Sequence, residues 1–369
     1  MKKITKIVIT GGPCAGKTTG LSTLERELSK IGYKVVIINE SATEIINSGL
    51  SLSAYNNDNV NFELNIASLQ LKKEKLYEEA CENLSNEKIV LVCDRGVMDC
   101  KSYSTPEEWQ EITRKLNLDD IQLRDNYDAV FHLVTAAKGA EEFYTRENNT
   151  ARSETLEDAI LADERTLKCW TGHPHLRAID NSTNFEDKMK RLVSEIYSFL
   201  GEPEPYEIER KFLIKMPDIN KLLTKHNCKK VDIIQTYLTS EENCERRIRQ
   251  RGLDGSYIHT LTTKKRISDV KRHETEEKIT PKQYLSLLND ADISLHQVKK
   301  TRYCIMQNNQ YFEVDIYPFA KETAILEVEL SNESEIIKFP EYLNIIKEVT
   351  DDYNFSNRAL AEKIPTELK

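Results

Sequence analysis

The chain has 369 residues, of which 39% are hydrophobic and 31% charged, and its formal net charge is −9. At roughly 100–200 residues per domain, that length predicts two or three domains with cores of their own. The acidic balance excludes a general nucleic-acid binder, and no apolar run approaches the ~20 residues that cross a bilayer.

Residues 4–10 (ITKIVIT) read as a short apolar strand, followed by GGPCAGKTT and a helical pattern from Lys17 to Lys30. Further strands are expected at 33–39 (YKVVIIN), 88–96 (KIVLVCDRG), 127–134 (YDAVFHLV) and 175–181 (HLRAIDN), with helices over 61–85 and 185–200. Strands alternating with helices predict a parallel α/β sheet with flanking helices. GEPEP at 201–205 breaks both helix and strand and is taken as a linker between domains 1–200 and 206–369. Beyond it the pattern changes to many strands, with one helix near 280–290 and another towards the C-terminus. The eight cysteines follow neither a metal-ligand spacing nor a disulfide framework, and no signal-peptide pattern is present. Reduced thiols and a cytoplasmic location are therefore expected.

Gly11-x-x-x-x-Gly16-Lys17-Thr18 has the P-loop spacing and sits between a predicted strand and a predicted helix. Gly11, Gly12 and Gly16 let backbone N–H groups turn towards phosphate oxygens, and the helix N-terminus adds partial positive charge. Lys17 is placed to reach the β- and γ-phosphates of ATP or GTP. Thr18, with Thr19 beside it, is placed to help hold Mg²⁺. Asp94 ends the third strand, where a metal-orienting carboxylate belongs, and Glu40 ends the second, at the same edge of the sheet. The Glu40 carboxylate and the Asp94-Arg95 pair resemble nucleoside and small-metabolite kinases. GGPCAGKTT, NESATEII, CDRGVMD and HLRAIDNSTNFEDK together resemble the P-loop family related to nicotinamide-riboside kinase domains. That resemblance implies Glu40 as base on an acceptor hydroxyl. It also implies a lid over 138–155 whose Arg146 and Arg152 stabilise the transferring phosphoryl group.

The second half alternates charges at every other position. Glu207, Glu209 and Lys211 open it; Arg247, Arg249 and Arg251 follow, then Thr262 and Lys264, Glu274 and Glu276, Lys300 and Arg302, Glu313 and Asp315, and Glu327 and Glu329. Residues i and i+2 of a strand share a face, so one face is ionic. Positions between them, such as Ile248, Val314, Ile316, Val328 and Leu330, are apolar and call for burial. Closing such strands into a barrel gives a wet, ionic lumen. A triphosphate with a divalent metal fits both of its signs.

Glu-x-Glu-x-Lys, then paired basic strands, then Glu-x-Glu resembles the CYTH domain of the triphosphate tunnel metalloenzymes over about residues 206–360. The resemblance implies an eight-stranded antiparallel barrel and hydrolysis of inorganic or organic triphosphates with Mg²⁺ or Mn²⁺. It assigns Glu207, Glu209 and Glu329 to the metal, with Glu327 nearby. Lys211, Arg247, Arg249, Lys264, Lys300 and Arg302 would grip the triphosphate, while Glu274, Glu276 and Asp315 would support the metal or position water. Joined, the two resemblances imply a bifunctional phosphotransferase or NTPase and triphosphatase. The alternative is an ATP- or GTP-binding regulatory protein whose CYTH domain docks an anionic ligand, such as a phospholipid head group, without turnover. No nucleic-acid partner and no transmembrane segment are expected.

Overall fold

The structure is a computed structural model and describes residues 3–144, 155–202, 208–225, 228–241, 244–266, 272–330 and 335–368. The chain divides into two units, Met1–Tyr206 and Glu207–Lys369.

In the first unit, strands β1 (Lys3–Gly11), β2 (Lys34–Ile38), β3 (Lys88–Asp94), β4 (Ala129–Leu133) and β5 (Leu176–Ile179) form a sheet in the order β2-β3-β1-β4-β5. Every pairing is parallel. The helices are α1 (Lys17–Lys30), α2 (Ser41–Asn47), α3 (Asn59–Glu82), α4 (Asp99–Ser102), α5 (Pro106–Leu116), α6 (Asp120–Arg124), α7 (Leu156–Trp170) and α8 (Phe185–Leu200). The central strands are continuous apolar runs because helices cover both faces: Ile7, Val8, Ile9, Ile89, Val90, Leu91 and Val92 are fully buried. Local chemistry starts the helices. Thr105 and Glu108 close a capping box ahead of Pro106, and Asn184 accepts the Asp187 N–H at 2.9 Å. The order places β1 between β3 and β4, so the loop after β1 and the ends of β2 and β3 lie along one edge of the sheet.

The second unit is one antiparallel sheet. Its strands are β6 (Ile208–Lys215), β7 (Cys228–Leu238), β8 (Cys244–Leu253), β9 (Ser256–Arg266), β10 (Arg272–Ile279), β11 (Val298–Gln307), β12 (Gln310–Ile316), β13 (Thr323–Leu330) and β14 (Ile345–Glu348). Helices α9 (Ile219–Lys225), α10 (Pro281–Leu287) and α11 (Asn357–Glu362) accompany it. The order is β10-β9-β8-β7-β11-β12-β13-β6-β14. Among the described residues the sheet thus has nine strands where eight were expected. The extra one is β14, four residues added to the edge of β6 through a bulge between Ile345 and Lys347.

The two faces of this sheet differ as the alternation requires. Phe212, Ile214, Tyr303, Ile305, Phe312, Val314, Leu326 and Val328 pack together in one buried cluster. The opposite face carries the acids and bases, but only along part of each strand. Two residues beyond Lys211 comes Leu213, and two residues before Glu327 comes Ile325; both join a second apolar cluster with Tyr317, Phe355, Leu360 and Ala361. The ionic stripe therefore ends against an apolar floor, and part of that floor is the C-terminal helix α11.

Candidate functional sites

The loop after β1 is shaped by close backbone approaches. Gly11 has φ of 143°, and a Cβ there would lie 2.1 Å from the Leu133 carbonyl oxygen. At Gly12 a Cβ would meet the Asp163 side chain at 2.7 Å. Only glycine fits either position. The Gly12 N–H donates to Asp163 Oδ1 at 2.7 Å, the Thr135 N–H donates to the same oxygen at 3.1 Å, and His132 Nε2 lies 3.1 Å from it. From α8, the buried Lys188 ammonium donates to the carbonyls of Ala15 at 3.1 Å and Val134 at 2.7 Å, and to Asn181 Oδ1 at 2.7 Å. Burial pushes that ammonium down to about 8. Asp163 and Lys188 thus clamp the loop from two helices. Sequence reasoning named neither.

Gly16 caps α1, Lys17 is its first residue, and Thr18 and Thr19 are exposed in its first turn. Lys17 Nζ donates back to the carbonyls of Gly11 at 3.2 Å and Gly12 at 3.3 Å. Burial, and then the neighbouring Arg95 guanidinium, lower its pKa to about 8. Asp94 stands beside Ile9 in the β1–β3 register. Burial and Glu40 raise its pKa, although Lys17 opposes them. Its Oδ1 is buried with no hydrogen-bond partner. A buried carboxylate oxygen left open beside a helix N-terminus is a fit for a hard cation such as Mg²⁺.

Arg95 follows Asp94 with φ of +65°, a costly conformation for a side chain of that size. The turn brings its Nε to 2.6 Å from Glu40 Oε1, and Thr43 donates its hydroxyl to Glu40 Oε2 at 2.6 Å. Burial opposes ionisation of Glu40, but Arg95, Thr43 and Lys17 hold its pKa below the ordinary value. Glu40, Asp94, Arg95 and Lys17 therefore form one electrostatic cluster. Arg146 and Arg152 lie outside the described residues.

In the second unit the register aligns the charged residues across strands. Arg302 lies opposite Asp315, Glu313 opposite Glu327, Glu327 opposite Lys211, and Glu329 opposite Glu209. Arg302 donates to Asp315 from Nε and Nη2, each at 2.7 Å, and also pairs with Glu313 and Glu327. Lys300 pairs with Asp315. Lys211 Nζ donates to Glu327 at 2.8 Å and to Glu209 at 3.2 Å. Although burial opposes its ionisation, Glu327 is held well below the usual carboxylate range by Lys300, Arg302 and Lys211. Glu313, a buried partner of Arg302, was noticed in the alternation but was not assigned to the site.

The β8–β9 side of the same face is basic. Arg247 lies opposite Thr262, Arg249 opposite Thr260, and Lys264 falls two residues beyond Thr262 on that face. Thr262 donates to Glu276 at 2.9 Å, and Glu274 sits on β10 opposite Lys264. Burial, then Arg247, and further along Arg302 and Arg251, lower the Arg249 pKa. Its Nε is buried without a hydrogen-bond partner. Guanidiniums crowded until one of them is shifted call for an anion. The facing carboxylates Glu209 and Glu329 call for a cation, because like charges directly opposite repel. Among the described residues, no three His, Cys, Asp or Glu side chains are grouped to hold a metal. Glu207 lies outside the described residues.

The comparisons with known proteins agree with this division. The AAA domain family matches residues 6–188, and the CYTH domain family matches 205–350. The chain belongs to the CYTH family through its second unit, behind a P-loop AAA domain. Among solved structures, the inorganic triphosphatase NE1496 is 30% identical, covering 43% of this chain and 97% of that one, with a TM-score of 0.32. A putative adenylyl cyclase, HpAC1, from Hippeastrum, described as having a dominant triphosphatase activity, is 17% identical over 34% of this chain and 80% of that one, with a TM-score of 0.24. The PH1012 protein of Pyrococcus horikoshii OT3 is 20% identical over 34% and 80% of the two chains, with a TM-score of 0.26. No curated protein matches the chain.

Proposed function

We propose that the protein is a bifunctional phosphate enzyme, with a triphosphatase in its second unit and an ATP- or GTP-dependent phosphotransferase in its first. The observation that carries the first half is the division of one sheet face into a basic side at Arg247, Arg249 and Lys264 and an acidic side at Glu209, Glu327 and Glu329. A triphosphate lies against the basic side, and Lys211, Lys300 and Arg302 reach it from between. Glu209 and Glu329, with Glu207 by family resemblance, would hold Mg²⁺ or Mn²⁺. The bound metal supplies charge neutralisation and polarises water. Asp315 and Glu276 orient the attacking water. The water oxygen bonds to the terminal phosphorus as the bond to the bridging oxygen breaks; the electron pair leaves on the remaining diphosphate, and the proton lost by the water ends on the released phosphates.

In the first unit Lys17 and the loop amides hold the β- and γ-phosphates, while Thr18 and Asp94 would hold the metal that neutralises them. The acceptor hydroxyl attacks the γ-phosphorus as its proton passes to Glu40. The bridging oxygen departs with the nucleoside diphosphate.

A second reading, a nucleotide-gated binding protein, is favoured by one observation: Glu313, Asp315 and Glu327 are already matched by Lys211, Lys300 and Arg302. In that case the face docks an anionic group, for instance a phospholipid head group, without turnover.

Phosphate release from tripolyphosphate and from nucleoside triphosphates, with Mg²⁺ or Mn²⁺, separates the two readings. Steady turnover that Glu209→Ala abolishes and Lys17→Ala spares supports the triphosphatase. Stoichiometric binding with no turnover supports the docking protein.

A further inference from the structure

Strand β9 carries two threonines on the ionic face, Thr260 and Thr262, and they differ in what flanks them. Thr262 sits between Arg247 on β8 and Glu276 on β10, and it donates its hydroxyl to that carboxylate at 2.9 Å. Thr260, two residues earlier, sits between Arg249 on β8 and Lys278 on β10, so both of its neighbours are cations. Its Oγ1 is buried with no hydrogen-bond partner among the described residues, and so is the Nε of Arg249 opposite it.

We infer that Thr260 and Arg249 together form a seat for one phosphate oxygen of the substrate, which makes Thr260 a further substrate-binding residue. The inference rests on the triphosphatase reading and deepens it. Register is the first argument. Side chains directly opposite on an antiparallel pair have Cβ atoms roughly 4.5–5.5 Å apart, so the two groups address one point above the face. Each is a buried donor left open, which is costly. The Thr260 oxygen has lone pairs that could accept the Arg249 N–H, yet neither group satisfies the other. A single acceptor oxygen between them satisfies both.

Charge is the second argument, because it separates an anionic oxygen from a neutral one. Burial, then Arg247, with Arg302 and Arg251 adding to it, lowers the Arg249 pKa, and Glu276 is the opposing charge. Cations crowded in this way favour a negative partner, and a hydroxyl donates more strongly to a charged oxygen than to a neutral one.

The contrast with Thr262 is the third argument. The two hydroxyls share a strand and a face. The one beside a carboxylate is satisfied from within the protein, and the one between cations is not. Thr262 therefore braces Glu276, whereas Thr260 is left for what the cations bind.

Tripolyphosphate is the probe, on the full-length protein. Thr260→Val exchanges the hydroxyl for a methyl of the same shape. Because an open buried donor is removed, the variant should melt at the wild-type temperature or above it without substrate. Its KM for tripolyphosphate with Mn²⁺ should rise about tenfold or more while kcat stays within about threefold, since the contact is made equally before and during the reaction. Thr260→Ser should restore KM to within about threefold of the wild type. Calorimetric titration of tripolyphosphate in EDTA should rank the three proteins in the same order. An unchanged KM in Thr260→Val, or a Thr260→Ser protein as weak as Thr260→Val, overturns the inference and leaves the triphosphatase reading standing. A Thr260→Val protein that melts several degrees lower and loses kcat along with KM reveals a structural hydroxyl and overturns it too. A wild type that hydrolyses neither tripolyphosphate nor nucleoside triphosphates removes the triphosphatase reading, and the calorimetric ranking then decides the seat by itself: the expected order upholds it, and equal affinities overturn it.

Discussion

Arg302 on β11 reaches past β12 to the Glu327 carboxylate on β13, and the same guanidinium holds Asp315 at 2.7 Å. One cation thus serves three buried carboxylates, Glu313, Asp315 and Glu327, which are 8%, 0% and 5% exposed. Arg302→Met removes the bridge and takes from Glu313 its cation, while Lys300 and Lys211 still pair with Asp315 and Glu327. The expected destabilisation is about 3–5 kcal/mol, the usual cost of leaving buried partners unpaired. Triphosphate hydrolysis should fall at least 100-fold, while nucleotide binding by the first unit is retained. Arg302→Lys keeps the charge but loses the fork, so it should fall between the two. Urea unfolding and phosphate release check both halves; a fully stable Arg302→Met protein would contradict the bridging role.

Glu209 and Glu329 face each other directly across the β6–β13 pair, two like charges that repel, with Lys211 Nζ 3.2 Å from Glu209. Function and stability should therefore oppose each other here. Glu329→Gln is expected to melt at the same temperature as the wild type or higher in EDTA, by up to about 1 kcal/mol. Mn²⁺ should stabilise the wild type and do little for the variant, because ligand binding stabilises only the state that holds it. Thermal melts across a Mn²⁺ titration supply the readout, and equal metal-induced shifts would dismiss the assignment.

The legible parts of this molecule were those that depend on short-range periodicity. The phosphate loop is contiguous, and strand alternation is a two-residue rule, so Lys211, Arg302 and Glu327 could be placed on one face without coordinates. Three other features were hidden because they depend on distant pairings. Asp163 meets Gly12 across 151 positions of chain, and Lys188 meets Ala15 across 173. Each is a lone polar residue in an amphipathic helix, where its spacing looks like solvent exposure. A cavity of about 250 Å³ lined by Glu40, Phe62 and Arg95 was hidden for the same reason: its walls come from three separate segments. The apolar floor at Leu213 and Ile325 was missed because the alternation gives which face a residue occupies but not what covers that face. The short β14 carries too few residues to show a period.

Lys17 has a depressed pKa of about 8 in this state, because burial and Arg95 disfavour its charge. Phosphates of a bound nucleotide reverse that by supplying negative charge, so the bound-state pKa is higher. Binding should therefore take up a proton at pH values above 8, and affinity should fall as pH rises from there, by up to about tenfold per unit. Calorimetry at pH 8.5 in buffers of different ionisation enthalpy measures the uptake directly. Lys17→Met should bind weakly and show no uptake from this group. A wild type whose binding enthalpy is independent of the buffer contradicts the assignment.

Glu63 supplies the opposite sign. Its folded pKa of about 7 lies above the ordinary 4.5, because burial disfavours the carboxylate. Between those values the folded state binds more protons than the unfolded chain, so stability must fall as pH rises through that window. The contribution is fully present below about pH 4.5 and is lost as pH passes 7, on the order of 3 kcal/mol at most. Glu63→Gln cannot titrate. Relative to the wild type it should gain stability steadily from pH 5 to pH 8, with the difference levelling off above pH 8. Denaturant melts at half-unit pH steps give the difference curve. Parallel curves for the two proteins would mean that Glu63 ionises in the folded protein as it does in water, and burial would not be raising its pKa.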